Sequence, residues 1–177
     1  MSNDYNFLRP NSFRMVIKNS PATSFTIQEA NIPALMSDFA NQTTPFIDIS
    51  HPFDKLFHGN LEVEFIVSES MQNYMEIRDW MVAIGFPNGY NDYKEITESI
   101  RGRKNSQDFL VSDISLIVLD SDNHELMVVD YLDAFPIQLG SIGLNVKMAN
   151  YNYVSVRATF AYRHNEIRIK GVSANNT

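Results

Sequence analysis

His51 and His58 share one stretch with Asp48 and Asp54, which places several metal-ligating and proton-transfer groups close together. Their spacing fits none of the helical or hairpin ligand patterns that hold zinc, so no metal is expected there. His124 falls in a turn and His164 at the end of a predicted strand, ordinary places for surface histidines. Glu62 and Glu64 are two apart on a predicted strand and therefore share a face. Two carboxylates on one face can act as acid and base, but without a surrounding pocket they read as a solvated face. The chain has no cysteine, which removes disulfides, thiolate metal sites and cysteine nucleophiles together. It also lacks a Gly-x-Ser-x-Gly elbow, a phosphate-binding loop and a dinucleotide fingerprint; Gly85-Phe86-Pro87-Asn88-Gly89 has too few glycines and follows a helix. Asn41-Gln42-Thr43 and Asn175-Asn176-Thr177 are chance matches to the glycosylation pattern. The residues thus point to neither an enzyme nor a cofactor.

The elements that would carry these side chains are mostly strands. Phe13, Met15 and Ile17 alternate with Arg14, Val16 and Lys18, the period-two pattern of a half-buried strand. Asn19-Ser20-Pro21 supplies turn chemistry before a second alternation through Phe25, Ile27 and Glu29, so the two segments read as a hairpin that ends at Ile32-Pro33. From residue 36 to 59 the alternation fails: Pro45, Pro52, Asp38, Asp48 and Asp54 interrupt the apolar residues, and the segment reads as a long loop. It nevertheless holds Phe39, Phe46, Phe53 and Phe57, four of the chain's 12 phenylalanines, together with Ile47. A solvated linker does not need them, so the loop is expected either to fold onto its own core or to dock on a neighbouring chain, with inter-subunit contact preferred.

Leu61, Val63, Phe65 and Val67 form the apolar side of the next strand. Met71, Tyr74, Ile77, Met81 and Ile84 then recur at steps of three or four, which predicts one main helix stopped by Gly85 and Pro87, with Trp80 beside the stripe. A second short helix is predicted over 92–101. Further strands are expected over 109–119, 126–132 and 151–163, with 135–150 an irregular or edge segment and 171–177 frayed. The whole chain of 177 residues reads as a single domain of mixed β structure with one main helix, an antiparallel sheet system of at least six strands.

Composition narrows the function classes. Hydrophobic residues at 44% and charged residues at 20% are ordinary for a folded domain. The formal charge of -7, with basic residues grouped only at Arg101, Arg103 and Lys104, argues against a face that grips phosphate backbones through counterion release. Nowhere does an apolar run approach the roughly 18 residues of a membrane-spanning helix. Met1 to Pro10 lacks the apolar core of a leader, so the chain is expected to be made and kept in the cytoplasm unless other machinery moves it.

Arg9-Pro10-Asn11-Ser12-Phe13 resembles the entry into the first strand of the tube proteins of contractile phage tails. The likeness continues through Ala30-Asn31-Ile32-Pro33-Ala34, Thr44-Pro45-Phe46-Ile47-Asp48-Ile49, the strand from Leu61 to Val67, the helix from Asn73 to Met81, and Asp133-Ala134-Phe135-Pro136 ahead of one long last strand. These are collinear structural signatures spanning most of the chain. The resemblance implies a small antiparallel β-barrel or sandwich with a helix, assembled as a homo-hexamer whose rings stack into a tube. Sheath and baseplate proteins would be its partners, DNA would pass through without specific binding, and the virion tail, assembled in the host cytoplasm, would be its location. A tube initiator in the baseplate or a terminator at the head end shares the same fold, and the tube of type VI secretion systems is similar. Outside this class, a monomeric β-sandwich binding module is the alternative, with a hydrolase third. Within the implied tube, Glu62 and Glu64 are candidates for the lumen wall, and Phe39, Phe46, Ile47, Phe53 and Phe57 for contacts between subunits.

Overall fold

The computed structural model describes residues 12–85, 110–144 and 153–169. The predicted helix over 92–101 and the frayed end at 171–177 lie outside these residues. The described chain runs β1 (Phe13–Ile17), α1 (Pro21–Ser24), β2 (Ile27–Ala30), β3 (Leu35–Thr43), β4 (Asp48–His58), β5 (Leu61–Ile66), α2 (Gln72–Gly85), β6 (Ser112–Leu119), β7 (Glu125–Leu139), β8 (Ser155–Ala161) and β9 (His164–Ile169).

Seven strands join in the order β1-β6-β7-β8-β5-β2, with β9 also paired to β7. Alternation decides which side of each strand faces inward. Met15 and Ile17, Leu61, Val63 and Phe65, Ile114 and Leu116, and Val156, Ala158 and Phe160 are all buried and form one core. β7 is the spine. Its first half pairs with β6 on one edge and β9 on the other, and its second half pairs with β8. At Asp133 the backbone takes a positive φ of 52°, and the pairing with β6 slips by one residue between Ser112 and Ile114. Odd residues Val129 and Tyr131 face the core before this bulge, and even residues Ala134 and Pro136 do so after it. One strand thereby serves two sheets. The segment predicted from residue 135 to be irregular or an edge continues β7 as far as Leu139, paired with β8. The last strand, expected over 151–163, is β8, and after a break at Tyr162 and Arg163 the chain continues along β7 as β9.

Two other expectations need correction. β1 and β2 do not form a hairpin: β1 pairs with β6, β2 pairs with β5, and the two end up at opposite ends of the strand order. Proline 21, which favours the first turn of a helix, starts α1 between them and carries the chain across. Nor do the described residues close a barrel, because β1 and β2 are not paired. Among the described residues the fold is an open antiparallel sheet system.

The helix α2 closes the core with Asn73, Ile77, Trp80 and Ala83 buried and with Tyr74, Met81 and Ile84 of the predicted stripe packed against it, while Met71, just ahead of the helix, is exposed. Trp80 packs by Phe160, and its Nε1 donates to the Leu110 carbonyl at 3.0 Å. Asn73 sits where three loops and strands meet. Its Nδ2 donates to the Ile66 carbonyl at 2.7 Å and to Thr26 Oγ1 at 2.9 Å, and its Oδ1 accepts from the backbone of Ser68 and Tyr74. Glu76 adds a link from the same helix, accepting from Ser20 Oγ and the Ala22 amide. Replacing the buried Asn73 by alanine leaves several part-buried partners without a bond, so it is expected to destabilise the fold by about 2–4 kcal/mol. Denaturation followed by the fluorescence of the single tryptophan measures this.

Candidate assembly interface

The segment read as a loop over 36–59 is a two-stranded antiparallel arm. β3 and β4 pair only with each other, from Leu35 opposite His58 to Thr43 opposite Asp48, and together they form a separate sheet. The turn suits its residues: Pro45 follows Thr44, whose backbone N–H donates to the Ile47 carbonyl at 3.2 Å. Cross-strand side chains add Ser50 Oγ to Asn41 Oδ1 at 2.8 Å and a bond between His51 Nε2 and Gln42 Oε1 at 3.2 Å. At the base, the Gly59 amide donates to the Ala34 carbonyl and the His58 ring meets Tyr162 edge-on.

Both faces of the arm carry apolar groups. Residues opposite one another in the ladder share a face, so Leu35, Phe39, Pro52 and Leu56 lie on one side, and Met36, Ile49 and Phe57 on the other. The tip presents Phe46 and Ile47, which are 97% and 68% exposed. Phe39 and Phe57 are exposed as well; Phe53 belongs to β4, and its side chain lies outside the described part. Two-stranded hairpins are marginal in water on their own. At about 3.3 Å per residue the arm is about 30 Å long, and among the described residues it makes no extensive contact with any other element.

Glu62 and Glu64 lie on the outward face of β5, as the alternation predicts, and the structure adds a residue that sequence reasoning missed. Arg157, opposite Glu64 in the ladder with β8, reaches Glu64 Oε2 at 3.2 Å and Glu62 Oε2 at 3.7 Å. Ser155 Oγ also donates to Glu64 Oε1 at 2.6 Å. This hydrogen bond first, and the Arg157 guanidinium second, hold the Glu64 carboxyl below the usual glutamate range. A depressed carboxylate pKa stabilises the fold above the ordinary glutamate range, and that contribution disappears as the pH falls below it. Only the cross-strand register, which sequence does not reveal, could have identified Arg157 as the partner.

No group of three or more His, Asp or Glu side chains suited to a metal occurs among the described residues. His51 and His58 are on alternate faces of β4, with His51 engaged by Gln42. What the surface does provide is unpaired β-edge: β1, β2 and β9 each have one neighbour among the described strands. Open edges and a free apolar arm are features that association satisfies.

No curated protein matches the chain by sequence. Solved structures with a similar fold include a protein of the sheath–tube complex of an extracellular contractile injection system in its extended state, at 11% identity over 94% of both chains and a TM-score of 0.57. The sheath/tube terminator of that system matches at 11% identity over 94% of this chain and 99% of that one, with a TM-score of 0.58. A chain of the baseplate of the anti-feeding prophage, 6-fold symmetrised, matches at 10% identity over 97% of this chain and 100% of that one, with a TM-score of 0.53. At such identities the likeness is one of fold. The sequence itself, over residues 8–167, matches the model of the phage tail tube proteins, and the chain belongs to that family of structural tail components.

Proposed function

We propose that this chain is a subunit of the inner tube of a contractile phage tail, forming hexameric rings that stack around a channel for DNA. The observation that carries the reading is the arm: a hairpin of about 30 Å with apolar side chains on both faces and at its tip reaches its stable state when neighbours cover it. The open edges of β1, β2 and β9 support the same conclusion, since pairing across subunits removes edges that otherwise promote uncontrolled association. The similar folds stand in a sheath–tube complex and in a 6-fold symmetrised baseplate, which supports a ring and supports sheath and baseplate proteins as its partners. The face with Glu62, Glu64 and Arg157 lines the channel in this reading, giving a polar wall with a small acidic excess along which DNA slides without adhering. The tail would assemble in the host cytoplasm.

A terminator is the second reading, favoured by the equally good match to the sheath/tube terminator. The two differ in polymerisation: a tube subunit stacks, and a terminator stops at one ring. In negative-stain images the purified protein is expected to form rings that lengthen into tubes as its concentration rises. Single rings alone assign it to the terminator, and a strictly monomeric species at high concentration under every salt condition overturns both.

A further inference from the structure

A cleft of about 610 Å³ opens along β1, lined also by Pro21 and Ser24 of α1, by Phe25 and by Ile27 at the start of β2. Val16, Phe25 and Ile27 supply apolar wall, and Phe25 is 90% exposed among the described residues. Arg14 in β1 and Lys18 just past its end stand on either side of Val16, exposed, and neither has an acidic partner among the described residues. The cleft is thus an apolar slot with a cationic rim.

The arm has the complementary chemistry. Its tip is Phe46 and Ile47 followed directly by Asp48, and across β3 and β4 it carries Asp38, Asp48 and Asp54 against Lys55 alone, a balance of three acids to one base. The arm of the same chain makes no extensive contact with β1, α1 or β2. We propose that the arm tip of one copy seats in the β1/α1/β2 groove of a neighbouring copy, with Phe46 and Ile47 in the apolar slot and Asp48 facing Arg14 and Lys18. The contact is heterologous, joining unlike patches of identical chains, and such contacts generate rings or continuous stacks. The proposal rests on the tube reading and adds the acceptor site that the arm requires. Charge pairing at the rim fixes register and speeds encounter, while the apolar tip supplies most of the holding force.

The absence of cysteine makes the test direct, because introduced thiols are the only ones in the chain. Phe25→Cys and Ile47→Cys variants, mixed and assembled under mild oxidation, are expected to form a disulfide between copies. Either variant alone should not. Arg14→Glu with Lys18→Glu should raise the concentration needed for assembly by at least ~10-fold, and Asp48→Lys in the same chain should recover part of that loss. Tubes that form without the mixed cross-link, and that tolerate the Arg14 and Lys18 changes, overturn the docking and leave the tube reading standing. The same holds if Phe25→Cys cross-links instead to a cysteine placed in residues 1–11 of its own chain. Failure of the unaltered chain to assemble at all overturns the tube reading and the docking with it.

Discussion

Replacing Phe46 and Ile47 together by serine is expected to abolish assembly while leaving the circular dichroism and unfolding midpoint of the monomer unchanged. Both side chains stand at the arm's tip with no core to support, so the isolated chain loses nothing by their removal. In an assembled state each buries its apolar surface against a neighbour, a contribution of about 1.5–3 kcal/mol per side chain. The loss recurs at every subunit, and a ring needs all of its contacts at once, so the effect on polymer is close to all-or-none. Polymerisation at the normal concentration would remove the tip from the interface. A collapse of the monomer's spectrum would instead make the arm part of its own core.

The second large effect concerns charge. Exchanging Glu62 and Glu64 for lysine turns two negative charges into two positive ones beside Arg157, which has ion-paired with both. If this face lines the channel, the ring acquires a continuous cationic band, and tubes are expected to assemble but to retain or stall DNA during delivery. Because these ion pairs are exposed, their loss should cost the monomer little stability. Normal delivery from fully assembled mutant tubes would place the two glutamates on the outer surface, where their charge would serve solubility before assembly.

The sequence carried the fold most clearly where one face of an element is buried. Leu61, Val63 and Phe65, or Val156, Ala158 and Phe160, alternate because the core selects them, and those strands stand where the period places them. The arm was illegible for the same physical reason: with both faces exposed in the single chain, nothing imposes a period, and Pro45 and Pro52 look like breaks although one sits in a turn and the other in a two-stranded ladder that tolerates it. β7 was cut short because the bulge at Asp133 shifts the buried set from odd to even residues and a buried proline follows. The pairing of β1 with β6 rather than β2 depends on contacts a hundred residues apart in the chain, which local turn chemistry at Asn19 and Pro21 does not encode. For the candidate interface, sequence composition singled out the arm's aromatic residues, and the outward face of Glu62 and Glu64 followed from spacing. Arg157, and the groove rim of Arg14 and Lys18, became visible only when strands far apart in sequence were set side by side.

The central claim is that the free arm exists to join subunits around a channel. A cryo-electron microscopy reconstruction of the polymer formed by the unaltered protein tests it most directly. The account predicts a hollow ring of identical subunits, with every β3–β4 arm covered by a neighbouring copy on its apolar faces. A polymer without a central channel, or a ring in which the arms project bare into solvent, would contradict it.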